Sequence, residues 1–129
     1  MIIKTLLGNV MRVALLWAII IAVLHAIPSQ DSAFIQLDDL FQLDKLFHLG
    51  VFAIGAWLLM RALKQQYAMH AFRYTFIVYT LYGLLLEMMQ GACFEARKAD
   101  FLDWVADIVG VLLALLLHQK IYPNEPIKS

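Results

Sequence analysis

Residues 87–107, EMMQGACFEARKADFLDWVAD, carry five carboxylates, one arginine and one lysine between two apolar runs. Carboxylates beside basic groups and a histidine can accept or donate a proton and can hold a charged ligand. We therefore consider Glu87, Asp103 and His48 as candidate catalytic residues. No serine or cysteine lies in a setting typical of a nucleophile, so the sequence leaves open whether the protein is an enzyme.

A second group of polar residues is suited to binding a charged head group. Its members are Arg97, Lys45, Gln90, Asp44 and Asp107. The planar guanidinium of an arginine binds a phosphate or a carboxylate through paired hydrogen bonds. An internal salt bridge from Arg97 to Asp103 or Asp100 is the alternative interpretation.

The same side chains include common ligands of divalent metal ions. The candidates are Glu87, Asp103, Asp107 and His48. Carboxylates suit Mg²⁺, Ca²⁺ or Mn²⁺, and a histidine favours Zn²⁺. However, the sequence has no recognised metal motif such as HExxH, and the carboxylates can alternatively serve only to hold helices together. We therefore expect no metal and no other cofactor.

Helical spacing places these residues on common faces. Two pairs are four residues apart and one pair is three residues apart, so each pair shares one side of a helix. The pairs are Asp44 and His48, Asp103 and Asp107, and Glu87 and Gln90. Small residues continue two of these faces, at Gly83, Gly110 and Ala114, and small residues mark where membrane helices pack closely. The spacing predicts polar faces that meet inside a helical bundle.

The elements that carry these faces are apolar enough for a membrane. Hydrophobic residues make up 63% of the 129 residues and the mean hydropathy is +0.75, against about 45–50% apolar residues in soluble domains. Four apolar segments, at about 10–27, 46–63, 72–90 and 101–117, are each long enough to cross a hydrocarbon core of about 30 Å. Strand-type alternation is absent. We predict an all-α, polytopic membrane protein: a single domain over 1–129 with a bundle of four transmembrane helices.

Basic residues predict the orientation, because they concentrate in cytoplasmic loops. Seven of the ten lysines and arginines lie on the side of the termini and three lie on the other side. Both termini are therefore expected in the cytoplasm of a bacterial cell, with the protein in its plasma (inner) membrane. The first outer connection, 28–45, has the apolar spacing of a short interfacial helix, and a plain loop is the alternative.

The ordered motifs of residues 44–115 resemble those of the VanZ-like family. The matching residues are Asp44, Lys45 and His48, then Tyr82, Gly83, Glu87 and Gln90, then Arg97, Asp103 and Gly110. Where the family usually has asparagine this chain has Asp107, and its loop GACFEARKAD lacks the Pro-Gly often found before the arginine. The resemblance covers over half of the chain and implies a membrane protein of four helices.

The resemblance also implies a setting for the function. The namesake of the VanZ-like family is associated with low-level resistance to teicoplanin, a glycopeptide with a fatty chain that acts on the cell wall outside the membrane. A function in the cell envelope is therefore expected, with antibiotic resistance as one form of it. The predicted outward position of the polar residues fits such a setting.

Our leading hypothesis is an outward-facing site that binds or modifies a lipid or a lipid-linked cell-envelope molecule through its charged head group. One alternative is a small transporter coupled to protons or cations, because carboxylates and histidines inside a membrane can carry ions. The other is a structural membrane subunit. The expected partners are membrane lipids or a lipid-linked amphiphile, and no nucleic acid. A homodimer is left open, since four short helices enclose little volume.

Overall fold

The computed structural model describes residues 2–26, 37–93 and 99–123, and these form four α-helices. The helices are α1 (Ile2–Ala26), α2 (Leu37–Lys64), α3 (Ala71–Cys93) and α4 (Phe101–Ile121). Side chains are described from residue 8 in α1 and from residue 43 in α2. The described residues contain no strand. The prediction of an all-α bundle of four helices is confirmed.

Each helix contains a segment long and apolar enough to cross a membrane. The segments are Gly8–Ala26, Leu43–Lys64, Ala71–Cys93 and Phe101–Ile121. Lipid offers no hydrogen-bond partner to a backbone amide, so sequences of this kind form helices that satisfy their own amides. The chain is accordingly a multi-pass membrane protein.

Helix α2 begins at Leu37, well before the predicted boundary near residue 46. Residues 37–45, LDDLFQLDK, contain no proline or glycine that would end a helix. The helix therefore extends beyond its apolar segment, and residues 37–43 are part of α2 instead of a separate interfacial helix. Residues 27–36, which include the rest of the predicted interfacial segment, lie outside the described residues.

Helix α4 begins at a defined cap. Asp100 has extended backbone angles, φ −111° and ψ 112°, and its Oδ1 accepts a hydrogen bond from the backbone N–H of Leu102 at 2.8 Å. A carboxylate in this position satisfies an amide that has no partner within the helix, and it lies at the positive end of the helix dipole. The cap determines where α4 starts, and hence the depth of Asp103 and Asp107.

Helix α2 packs more extensively against the rest of the bundle than any other helix does, and its largest contact is with α4. At Gly110 of α4, an added Cβ would collide with the carbonyl oxygen of Leu49 on α2. At Gly83 of α3, an added Cβ would lie 2.9 Å from Oδ2 of Asp107 on α4. Ala114 is buried one turn beyond Gly110. The close approach of these three helices thus depends on small residues.

Aromatic side chains tie the helices together through hydrogen bonds to backbone carbonyls. Trp17 Nε1 donates to Val51 at 2.9 Å, Tyr82 Oη to Ala18 at 2.5 Å, and Trp104 Nε1 to Thr80 at 3.0 Å. These bonds join α1 to α2, α1 to α3, and α3 to α4, and each satisfies the polar tip of a half-buried ring. The apolar core combines side chains of all four helices, among them Ile21, Phe52, Ala56, Tyr79, Val111 and Leu115.

Candidate functional site

The polar residues of the four helices meet at one end of the bundle. Helices α1 and α3 end there and helices α2 and α4 begin there, so we call it the polar end. Six buried polar side chains lie at it: His25, His48, Glu87, Gln90, Asp103 and Asp107. Residues that are far apart in the sequence are therefore brought to one depth of the bundle.

Lys45 of α2 is paired with two aspartates at the start of α4. Its Nζ donates to Oδ1 of Asp103 at 2.8 Å and to Oδ2 of Asp100 at 3.2 Å. The side chain of Asp103 is only 9% exposed, whereas those of Lys45 and Asp100 are 22% and 35% exposed. The lysine thus supplies the positive charge that a nearly buried carboxylate requires, and it also reaches the surface.

Asp100 lies just before the membrane-spanning segment of α4 and combines two roles. Its partial burial acts to raise the pKa of the carboxyl group, but hydrogen bonds from the Leu102 N–H and from Lys45 Nζ outweigh burial and hold this pKa below its ordinary value. The carboxylate therefore stays ionised at neutral pH. It keeps both the helix cap and the ion pair.

His48 lies between three carboxylates from α3 and α4. Its Nδ1 is 3.0 Å from Oδ1 of Asp107 and 4.0 Å from Oε1 of Glu87, and its Nε2 is 3.9 Å from Oδ2 of Asp103. The contact with Asp107 is a hydrogen bond. Because the imidazole is buried, these carboxylates rather than water determine its electrostatic environment.

Glu87 uses only one of its two oxygens for a hydrogen bond. Oε2 accepts from the backbone N–H of Asp100 at 3.1 Å, which ties the end of α3 to the start of α4. Among the described residues, Oε1 of Glu87 and Oδ2 of Asp107 have no hydrogen-bond partner. A buried carboxylate oxygen without a partner costs free energy. The two carboxylates therefore have capacity for a further ligand.

His25 belongs to this cluster, although sequence analysis assigns it no function. Its ring centroid lies 4.7 Å from that of His48, edge to face, and its Nδ1 donates to the carbonyl of Ile21 at 2.8 Å. Motif spacing did not find His25, because no polar residue lies three or four positions from it on α1. The order of the helices could have indicated it, because α1 and α2 are antiparallel neighbours and the end of α1 therefore lies beside the start of α2.

The polar residues of this end form two overlapping groups, of which His25 is the member that the sequence did not predict. One group is His25, His48, Glu87 and Asp107, and the other is Asp44, His48 and Asp103; within each, one nitrogen or oxygen per residue lies within 4.8 Å of all the others. The first group is wholly buried, and Asp44 in the second is partly exposed. Gln90 instead donates from Nε2 to the backbone carbonyl of His25 at 2.9 Å. Arg97, predicted to bind a head group, lies outside the described residues.

An apolar groove adjoins the polar end along α2 and α4. Its volume is about 400 Å³, and it is lined by Leu49, Ala53, Ile54, Trp57 and Leu58 of α2 and by Leu113, Ala114 and Leu117 of α4. The groove begins at Leu49, one helical turn beyond Lys45 and on the same face of α2. The apolar groove therefore follows the partly exposed Lys45 along one face of α2.

Comparison with protein-family models, with curated proteins and with solved structures finds no match to this chain. What the polar end does is therefore inferred from its own residues. They offer a partly exposed lysine between carboxylates, a buried pair of histidines, and carboxylate oxygens with spare hydrogen-bonding capacity.

Proposed function

We propose that this protein binds an amphiphile, either a lipid or a lipid-linked cell-envelope molecule, with the charged head group at the polar end and the chain in the α2–α4 groove. In this proposal the polar end faces the outer leaflet of a bacterial plasma membrane, and both termini lie in the cytoplasm. The observation that carries the proposal is the position of the groove, since Leu49 at its start lies one helical turn beyond the partly exposed Lys45 on the same face of α2.

The polar groups that reach the surface suit a head group of mixed charge. Lys45 and Asp100 are partly exposed, and Asp44 is partly exposed on the same turn of α2 as Lys45. An ammonium group donates hydrogen bonds to a phosphate, and carboxylates accept them from an amine. A zwitterionic phospholipid such as phosphatidylethanolamine carries both partners. We retain Arg97 as a second proposed contact for the phosphate.

The groove has the length of one leaflet. Its α2 residues run from Leu49 to Leu58, a rise of about 13 Å at roughly 1.5 Å per residue. Half of a hydrocarbon core measures about 15 Å. Two of the lining residues, Ala53 and Ala114, have small side chains, which leaves room between the helices for an acyl chain.

Burial of the candidate catalytic residues favours binding over conversion. Glu87, Asp103 and His48 are each more than nine-tenths buried, whereas an acid or base must come within about 3 Å of the group that reacts. A head group held at the surface of Lys45 lies outside this buried set. We therefore propose that the protein binds its ligand without converting it. In this proposal Glu87 and His48 interact with other residues inside the bundle and do not contact the head group.

Transport coupled to protons or cations is less favoured. Beyond His48, α2 has only apolar residues and glycine until Arg61, and α4 has only apolar residues and glycine between Asp107 and His118. A relay across the membrane needs polar groups at intervals along its path. A purely structural subunit, the other alternative, would show effects on stability and none on ligand binding.

The resemblance to the VanZ-like family supports a ligand of the cell envelope. A lipid-linked wall precursor and a lipidated glycopeptide such as teicoplanin both join a fatty chain to a large polar head. Expression of the protein in a susceptible strain is expected to lower sensitivity to teicoplanin and to leave sensitivity to a glycopeptide without the fatty chain unchanged. Unchanged sensitivity to both would remove resistance from the proposal.

Native mass spectrometry of the full chain, purified from bacterial membranes in mild detergent, tests lipid binding. The wild type is expected to retain one phospholipid per chain. Ala53→Phe places a ring in the groove and should abolish retention. Val78→Phe adds the same ring at an exposed position of α3 and should retain the lipid. Equal retention by both variants would reject the groove as the binding site.

A second comparison tests the head group. The protein is reconstituted with equal amounts of phosphatidylethanolamine and phosphatidylglycerol, and the retained lipid is identified. We expect phosphatidylethanolamine to be preferred by the wild type and by Lys120→Gln, a control near the other end of α4. Asp44→Asn should lose this preference. A preference for phosphatidylglycerol in the wild type would contradict the assignment of Asp44 to an amine.

A further inference from the structure

We propose that His25, His48, Glu87 and Asp107 bind one divalent transition-metal ion, for which Zn²⁺ is the best fit. Each of the four helices contributes one of these residues. The proposal is independent of lipid binding, because it concerns the buried interior of the polar end rather than its surface.

The four residues converge as a set of ligands should. One atom from each lies within 4.8 Å of the corresponding atoms of the other three, and all four residues are buried. Zinc ligands stand about 2.0–2.2 Å from the ion, so that tetrahedral ligand atoms are roughly 3.4 Å apart. Side-chain movements of about 1 Å therefore bring the set to coordination distance, with no change in the helices.

Unsatisfied carboxylate oxygens in the cluster point independently to a ligand. Oε1 of Glu87 lies 4.0 Å from Nδ1 of His48, too far for a hydrogen bond, and has no other partner among the described residues. Oδ2 of the fully buried Asp107 also has none there. The backbone N–H of Asp100 occupies only Oε2 of Glu87. A metal ion would satisfy oxygens that the described residues leave unpaired.

The hydrogen bond of His25 prepares its other nitrogen for a metal. A carbonyl oxygen can only accept, so the bond to Ile21 requires the proton to be on Nδ1 of His25. The lone pair is then on Nε2. Histidines that bind metals usually donate their second N–H to a carbonyl or a carboxylate, which fixes the tautomer and the ring orientation.

A carboxylate also lies on the side of the second nitrogen of His48, at a distance longer than a hydrogen bond. The Nδ1 of this histidine faces Glu87 and Asp107, while its Nε2 lies 3.9 Å from Oδ2 of Asp103. Asp103 is itself held by Lys45 through its other oxygen. With an ion at Nδ1, the proton of His48 belongs on Nε2, where Asp103 is the group that can accept it.

The donor set selects the class of ion. Two imidazole nitrogens with two carboxylate oxygens suit a four-coordinate transition metal such as Zn²⁺, whereas Mg²⁺ and Ca²⁺ prefer oxygen ligands alone and more of them. The two ionised carboxylates balance the two positive charges of the ion. A neutral complex of this kind is the form in which charges are best tolerated at membrane depth.

The second group of the polar end provides an access route. Asp44 is partly exposed and lies with His48 and Asp103 in the overlapping set. His48 is common to both groups, so an ion captured beside Asp44 is already next to one ligand of the buried set.

Zinc binding by the full chain tests the proposal. The affinity tag is removed, because tag histidines also bind zinc, and the protein in detergent is loaded with Zn²⁺, desalted and analysed for metal by mass spectrometry. We expect one Zn²⁺ per chain and a higher unfolding temperature with zinc, since an ion that binds only the folded state stabilises it. Co²⁺ in the same site should give the visible absorption of tetrahedral cobalt.

Two histidine variants locate the ion. His25→Gln removes one ligand and is expected to weaken zinc binding by at least about 100-fold, the upper end of losses caused by changes around metal ligands. His118→Gln changes another buried histidine, near the end of α4 remote from the site, and should bind zinc as the wild type does. Asp107→Asn keeps the shape of the side chain and serves as the second ligand variant should His25→Gln fail to fold.

Three results would overturn the proposal. They are a wild type that retains far less than one Zn²⁺ per chain, full retention by His25→Gln and Asp107→Asn, or an equal loss in His118→Gln. Ala53→Phe distinguishes this site from the lipid groove, because it should lose the lipid and keep the zinc.

Discussion

Nδ1 of His48 lies 3.0 Å from Oδ1 of Asp107, an aspartate with no exposed surface. This hydrogen bond joins α2 to α4 inside the bundle. An amide and a carboxylate have nearly the same shape, but only the carboxylate brings a negative charge and two acceptor oxygens. Replacing Asp107 with asparagine would therefore change the electrostatics of the polar end rather than its packing.

Lys45→Met is expected to destabilise the protein by about 2 kcal/mol, because it leaves the nearly buried Asp103 without its cation. The value is below the roughly 3–5 kcal/mol of a fully buried pair because Lys45 is partly exposed. Thermal unfolding in detergent measures the effect. Lys120→Met, at an exposed position, is the control and should change stability by less than about 0.5 kcal/mol. Equal effects would mean that the ion pair with Asp103 contributes nothing.

Gly110→Ala is expected to lower stability by about 1–3 kcal/mol, because the new methyl group would collide with the carbonyl oxygen of Leu49 and force α2 and α4 apart. Gly50→Ala is a matched control on α2, since a Cβ at that position meets nothing within 4 Å. It should be neutral or gain up to about 1 kcal/mol from helix propensity. Unfolding of both variants under the same conditions measures the difference, and a stable Gly110→Ala would contradict the close contact.

The stability of the polar end should fall in acid through Asp100. The folded state lowers the pKa of this carboxyl group below its ordinary value of 3.8, so its contribution is fully present above the unfolded-state pKa and is lost as the pH falls through the folded-state value. Unfolding temperatures of the wild type and Asp100→Asn between pH 7 and pH 2 measure this. The gap between the two proteins should narrow as the pH falls below about 4. A difference in unfolding temperature that does not change with pH would mean that the ionisation of Asp100 contributes nothing to stability.

Tyr82→Phe should cost about 1 kcal/mol, because it removes the hydroxyl that donates to the backbone carbonyl of Ala18 and joins α3 to α1. The aromatic ring and its packing are kept. Tyr74→Phe removes a hydroxyl from an exposed ring on the same helix and is expected to leave stability unchanged. The unfolding temperatures of the two variants are compared, and equal values would mean that the bond to Ala18 has no net effect.

Helix number and class could be predicted because blocks of apolar residues of membrane-spanning length leave helix as the only element that satisfies the backbone in lipid. The start of α2 could not be predicted in this way, because residues 37–45 mix polar and apolar side chains. The helix continues through them because they contain no residue that breaks a helix. The apolar composition thus indicates where the membrane-spanning segment begins, whereas backbone hydrogen bonding determines where the helix begins.

The order of the polar residues along four helices that alternate in direction predicts that they lie at one end, but their contacts depend on the rotation of each helix about its own axis. That rotation brings Lys45 into contact with Asp100 and Asp103, and brings His48 into contact with Asp107. Periodicity gives no signal for His25, because the polar side chain that its ring contacts, His48, lies on another helix. Periodicity within one helix cannot report a contact made between helices.

The four-helix origin of the buried cluster also bears on biogenesis. A chain with only α1–α3 in the bilayer lacks Asp107 beside His48 and lacks the backbone amide of Asp100 beside Glu87. An uncompensated charged side chain at membrane depth costs about 2.5–3.5 kcal/mol on the insertion scale, and this cost falls on the unfinished protein. Insertion of α4 is thus the step at which buried polar groups of α2 and α3 gain these partners.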